Sequence, residues 1–148
     1  KDRILDLFCG LGNFSLALAR RAGQVLGVEG DESLVRKAAE NASANGINNA
    51  RFQTRDLFSD SVLDWDPGHY SQVLVDPPRS GAINVLKNIS SGLKPDRIAY
   101  VSCNPATLAR DAAYLTGPGG YRLTRLAVAD MFPHTAHIES AALFARSA

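Results

Sequence analysis

Residues 6–19 read DLFCGLGNFSLALA, and this stretch decides the fold. A strand-like run, Arg3 to Phe8, breaks at the turn Cys9 to Gly12 and gives way to a segment of helical period from about Asn13 to Arg21. Gly10 and Gly12 let the chain double back tightly, so that backbone amides and the start of a helix can face a ligand. A strand feeding a helix through such a turn is the opening unit of a parallel sheet covered by helices.

The alternation continues outward from this unit. Strands are predicted at Arg3–Phe8, Gln24–Glu29, Ala50–Thr54, Gln72–Val75, Arg97–Ser102, Tyr121–Ala129 and Ile138–Ala145, seven in all. Asp31 is placed to cap a helix that runs to about Asn45, with Leu34, Val35, Ala38, Ala39 and Ala42 as its apolar stripe. Further helices are predicted from Ile83 to Ser91 and from Asn104 and Pro105 onward, the latter with proline at its first position. The last two strand runs have only Asp130 to His137 between them, too little for a crossover helix, so they should pair antiparallel. The result is an α/β fold: a seven-stranded, mostly parallel sheet with an antiparallel last strand, as in the Rossmann-like methyltransferases. It leaves no room for the second half of a dinucleotide-binding domain.

With 148 residues, 45% hydrophobic and 21% charged, the composition suits one globular domain. Sixteen basic and fifteen acidic residues leave a formal charge of +1, so no global basic field draws the chain to phosphates. Cys9 and Cys103 are the two cysteines, which gives neither a disulfide framework nor zinc-ligand spacing and points to a reduced, cytoplasmic setting. No apolar run approaches the roughly 18 to 20 residues that cross a bilayer, and no leader opens the chain. Strands begin and end almost at the termini, so the chain reads as one catalytic domain cut from a longer protein.

Candidate site residues gather at predicted strand ends. The third glycine of a dinucleotide fingerprint is replaced by Ser15, a pattern that fits S-adenosylmethionine better than NAD. Glu29 closes the second strand in GVEGD, where a carboxylate can accept from both hydroxyls of an adenosine ribose. Asp56 follows the third strand and can either reach an adenine amino group or cap a turn. Asp76 ends the fourth strand in DPPRSG, whose two prolines hold it at the sheet rim in a stiff turn. By residue type alone Cys103 would be inert packing, but in YVSCNPATLARD it lies between a strand end and a helix capped by Asn104, where a thiolate is favoured. His134 and His137 lack the further ligands of a metal site, and none is expected.

Taken together and in order, DLFCGLGNFSL, LVDPPRSG, YVSCNPATLARD and DMFPHTAHIES resemble the RNA uracil-5-methyltransferases across essentially the whole chain. GNFSL, GVEG, VSCNPATLARD and MFPHTAHIES look most like the branch acting on bacterial 23S ribosomal RNA. The resemblance implies S-adenosylmethionine as methyl donor, lined by Phe8, Asn13, Glu29, Asp56 and Asp76. It implies Cys103 as nucleophile, Glu139 as base, and a monomer acting on 23S ribosomal RNA away from membranes. Longer members carry an N-terminal RNA-binding domain and, in this branch, an iron–sulfur cluster on four cysteines. Two cysteines cannot hold such a cluster within these residues.

The chemistry explains why such residues are needed. Uracil C5 is a poor nucleophile until a thiolate adds at C6 and turns the ring into an enolate. After methyl transfer C5 still bears its hydrogen, so a base must remove it before the thiolate can leave. Glu139, which leads into an apolar run, is the candidate. A methyltransferase acting on an amino group would need no cysteine, and DPPR disfavours it. Transfer RNA as substrate and a noncatalytic binding module stay open.

Overall fold

The computed structural model describes residues 2–59, 68–130, 134 and 138–147. Seven strands form one sheet: β1 (Arg3–Leu7), β2 (Gln24–Glu29), β3 (Ala50–Thr54), β4 (Gln72–Val75), β5 (Arg97–Ser102), β6 (Tyr121–Ala129) and β7 (Glu139–Arg146). Their order is β3-β2-β1-β4-β5-β7-β6. β1 to β5 pair parallel, whereas β7 is antiparallel to both β5 and β6. The seven expected strands and the antiparallel ending are therefore present.

The centre of the sheet is β1 beside β4, and both are buried on both faces, from Ile4 to Leu7 and from Val73 to Val75. That is why these segments read as almost continuous apolar runs. From β1 the chain builds outward through β2 and β3, then returns to β4 and builds the other way. Strand order thus reverses between β1 and β4, and the carboxyl ends of these strands open the crevice where such sheets bind ligands.

The described residues also form four α-helices: α1 (Asn13–Ala19), α2 (Glu32–Ala44), α3 (Ile83–Asn88) and α4 (Pro105–Thr116). The Asp31 side chain accepts from the amides of Ser33 at 2.7 Å and Leu34 at 3.4 Å, the cap expected for α2, whose Ala38 and Ala42 are buried. α1 ends at Ala19 rather than Arg21, where the Arg21 amide bonds the Leu18 carbonyl three residues back and tightens the last turn. α3 also stops early and passes into a π-helical turn, Ile89–Leu93. There the Ser90 and Ser91 hydroxyls both donate to the Lys87 carbonyl, competing with the regular helical ladder.

The main core lies between the sheet and α3 and α4, around the fully buried Leu5, Leu7, Leu86, Ile89, Ile98, Tyr100, Leu115 and Phe144. β6, the edge strand opposite β3, is exposed after Tyr121, with Arg122 and Arg125 discouraging further strand pairing. Among the described residues no helix is long and apolar enough to cross a membrane.

Candidate active site

The turn after β1 is built around a buried carboxylate. Asp6 is 0% exposed within β1 and accepts a hydrogen bond from the Ser15 hydroxyl, while its Oδ1 has no hydrogen-bond partner among the described residues. Burial pushes its pKa up to about 7, with the charges of Asp76 and Glu29 adding to the effect and the Ser15 bond opposing it. Asp6 was not among the sequence candidates; its signal was a lone acid inside the strand Ile4–Phe8.

Phe8 stands just outside β1 in the left-handed region, with φ 63°. Gly12 has φ 85°, and a Cβ there would lie 3.3 Å from both Ala38 Cβ and the Phe52 ring, so the turn needs glycine on two counts. Asn13 opens α1 and is exposed. Glu29 reaches across from the end of β2: its Oε2 accepts from the Gly10 amide at 3.1 Å, its Oε1 from the Gly30 amide at 2.7 Å and the Asp31 amide at 3.2 Å. A carboxylate has about four lone-pair sites, so Glu29 can fix this turn and still accept from a ligand. Cys9, also in the turn, is buried; desolvation first, then the charges of Asp6 and Glu29, pushes its thiol up to about 12.

Asp56 is exposed, and its Oδ1 accepts from the Phe58 amide at 2.9 Å. It thus caps the turn that follows β3, one of its two expected uses. This turn carries a residue the sequence reading missed: Phe58 is 59% exposed, and its ring centroid lies 5.5 Å from that of Phe8. An exposed ring held against another aromatic offers a flat face for stacking.

The second group of candidates occupies the tips of β4, β5 and β7. The Asp76 amide donates to the Leu7 carbonyl at 3.2 Å, so this half-buried residue sits beside the end of β1. Desolvation, then the nearby charge of Glu139, raises its pKa to about 6. Glu139 opens β7. Ser102 of β5 pairs with Ser140 of β7, so Cys103 and Glu139 flank the same rung of adjacent strands. Cys103 is free and half-buried. Ser102, buried and also missed, loops its neighbour: its hydroxyl accepts from the Asn104 amide and donates to the Asn104 carbonyl, each at 3.0 Å. Asn104 in turn caps α4 by accepting from the Ala106 amide at 3.1 Å.

Glu29 is thus bonded into the turn after β1, Asp76 lies beside the end of β1 within electrostatic reach of Asp6 and Glu139, and Cys103 lies across the β5–β7 pair from Glu139, with Phe8 just past β1 and Asp56 on the turn after β3. No cluster of three or more histidine, cysteine or acidic residues arranged for a metal occurs among the described residues, and His137 lies outside them.

Known proteins match this chain in sequence and in fold. The family model described as tRNA (uracil-5-)-methyltransferase matches residues 1–147. The chain is 58% identical to 23S rRNA (uracil(1939)-C(5))-methyltransferase RlmD of Alkalilimnicola ehrlichii, over 99% of its own length and 33% of that protein. The Acidithiobacillus ferrooxidans protein of the same name is 57% identical over 98% of this chain and 33% of its own. Among solved structures, the tRNA (uracil-54, C5)-methyltransferase of Pyrococcus abyssi in complex with S-adenosyl-L-homocysteine superimposes with a TM-score of 0.83 at 36% identity, over 97% of this chain and 34% of that one. The chain thus spans about a third of the relatives it matches. Sequence motifs, sheet order and near-complete coverage by the family model agree: the chain belongs to the tRNA (uracil-5-)-methyltransferase family.

Proposed function

We propose that this domain, acting within a longer protein, transfers a methyl group from S-adenosylmethionine to C5 of a uridine in RNA, with 23S ribosomal RNA as the substrate. The observation that carries the reading is the β5–β7 register, in which a half-buried thiol and a carboxylate flank the Ser102–Ser140 rung. The opposite ends of an adduct at C6 and C5 of one pyrimidine ask for such a pair.

Cys103 Sγ forms a bond to C6, and the ring π electrons move toward C5 and O4. S-adenosylmethionine supplies the methyl group to C5. Glu139 then takes the C5 proton, the C5–C6 double bond re-forms, and the Cys103 thiolate leaves. The donor is cationic at its sulfonium and ammonium, which suits a sheet end that carries the carboxylates of Glu29 and Asp76, with Asp6 buried beneath. Burial raises Asp6 and Asp76, the charge of Asp76 adding to the first and that of Glu139 to the second, and a cation bound nearby favours their charged forms. Glu29 is available to the ribose, and Phe8 with Phe58 to the adenine face. The higher identity to the ribosomal than to the transfer-RNA enzyme supports the 23S substrate.

The test uses the full-length protein and RNA with 5-fluorouridine at the target, since fluorine cannot leave as a proton and the Cys103 adduct persists. Wild type should trap RNA, and Cys103→Ala should not. On ordinary RNA, Glu139→Gln should methylate yet accumulate the adduct. Absence of a wild-type adduct would refute the mechanism.

A further inference from the structure

The motifs DPPRSG and NPATLARD extend well past the residues assigned to chemistry or donor binding, and the structure shows that their remainders meet. One face of α4 grips the turn after β4. Asn104 Nδ2 donates to the Arg79 carbonyl at 3.1 Å, Thr107 Oγ1 to the same carbonyl at 3.2 Å, and Arg110 Nη2 to the Ser80 carbonyl at 2.9 Å. Asp111 completes the grip by accepting from the Ala82 amide at 2.8 Å.

Asp111 is 0% exposed and its acceptor sites are filled from three elements. Its Oδ2 takes the Ala82 amide and, at 2.7 Å, the hydroxyl of Tyr100 in β5; its Oδ1 takes Arg110 Nε at 2.8 Å and Nη2 at 2.7 Å. Burying a charge with this many partners contributes little net stability compared with apolar packing, but it fixes geometry. Tyr100 and Asn104 bracket Cys103 in sequence, so the same network holds both sides of the nucleophile and the turn that begins at Asp76. Gly81 is its imprint: φ is +77°, and a Cβ there would lie 2.5 Å from Arg110 Nη2 and 2.7 Å from Asp111 Oδ2.

We propose that Asp111 is a positioning residue which, through Tyr100, Arg110 and Ala82, locks the Asp76–Gly81 turn to the Cys103 turn so that both meet the target base as one rigid unit. The inference rests on the C5-methylation reading above. It deepens that reading by assigning the ARD and RSG segments to alignment rather than to chemistry.

The experiment compares full-length wild type with Asp111→Asn, Tyr100→Phe, Gly81→Ala and the double variant Gly81→Ala with Asp111→Asn. It measures the single-turnover rate of adduct formation on 5-fluorouridine RNA at saturating donor and RNA, the donor Kd by calorimetry, and the thermal midpoint. Misplacement by about 1 Å costs on the order of 100-fold, so Asp111→Asn should slow adduct formation by about 10- to 100-fold. Its donor Kd should stay within about two-fold, since the clamp grips the Arg79–Ala82 end of the turn, whereas Asp76 at its other end is anchored separately by its amide bond to the Leu7 carbonyl. Tyr100→Phe, which keeps the ring packing, should slow the reaction less, and it carries the test if Asp111→Asn does not fold. Gly81→Ala should add little to Asp111→Asn, because both disrupt one contact. Unchanged rates overturn the inference, as do rate and donor affinity falling together with the thermal midpoint. A wild type that forms no adduct overturns the methylation reading and this inference with it, whereas normal wild-type trapping with unaffected variants overturns this inference alone.

Discussion

Replacing Asp6 by asparagine should stabilise the fold at alkaline pH while weakening donor binding. In the folded chain the Asp6 carboxyl titrates at about 7, against 3.8 for an ordinary aspartate, and burial is the main cause. Between those values the folded state binds a proton that the unfolded state has released, so stability falls as pH rises through the window. The full shift corresponds to about 4 kcal/mol, of which about 3 kcal/mol is lost between pH 5 and pH 8.

Asparagine carries no charge and can still accept from Ser15, but its amide must occupy the place of the unpartnered Oδ1, at a cost of about 1–3 kcal/mol. That cost is the same at both pH values and cancels in their comparison. Urea unfolding of wild type and Asp6→Asn at pH 5 and pH 8 should therefore show the variant gaining about 3 kcal/mol on wild type between the two. Calorimetry at pH 8 should show weaker donor binding by the variant, since one buried anion beneath the turn, within electrostatic reach of Glu29 and Asp76, is gone. A stability difference that stays constant within about 0.5 kcal/mol across the two pH values would refute the argument that Asp6 is a strained buried charge.

Three further outcomes are expected. Donor binding should release protons near pH 6 to 7, because a cation favours the charged forms of Asp76, held up at about 6, and Asp6, at about 7. Affinity should then rise from pH 5 to pH 8, and calorimetry in buffers of different ionisation enthalpy should detect the released protons. With Cys9 buried and its thiol pushed up to about 12, iodoacetamide at pH 8 should label Cys103 in the folded protein and leave Cys9 unmodified until denaturant is added, as read by peptide mass spectrometry. Phe58→Ala removes an exposed ring, so the thermal midpoint should hardly move, whereas a stacking role predicts a loss of about 1–3 kcal/mol in donor binding.

Much of this was legible in the amino-acid sequence because parallel strands buried on both faces are apolar runs, and Gly12, Asp31, Pro105 and Gly46 punctuate them. The same rule concealed Asp6: within Ile4–Phe8 one acid does not alter an apolar pattern, and only its burial beneath the turn shows that it is there at a cost. The π-helical turn was hidden for another reason. Ser90 and Ser91 are compatible with a helix, and their competition for the Lys87 carbonyl emerges only once the helix is formed. Asp56 had two readings in sequence; the cap is visible, and its bond to the Phe58 amide presents the aromatic ring that the sequence reading passed over.

The decisive feature is the order of the last two strands. Antiparallel pairing of β6 with β7 follows from the short connection, but the same hairpin could lie against β5 by either strand. With β6 innermost, the end at Ala129 would stand beside Cys103, and Glu139 would be one strand further out. With β7 innermost, Ser140 faces Ser102, and the carboxylate flanks the thiol's rung. Residue types favour the second arrangement: β7 buries Ser140, Ala142 and Phe144 on alternate positions, whereas β6 places Arg122, Thr124 and Arg125 on its two faces, a pattern suited to an edge. The polarity of β6 therefore bears on the proposed chemistry without touching it, since it keeps β6 at the rim and leaves the place beside Cys103 to the strand that begins with Glu139.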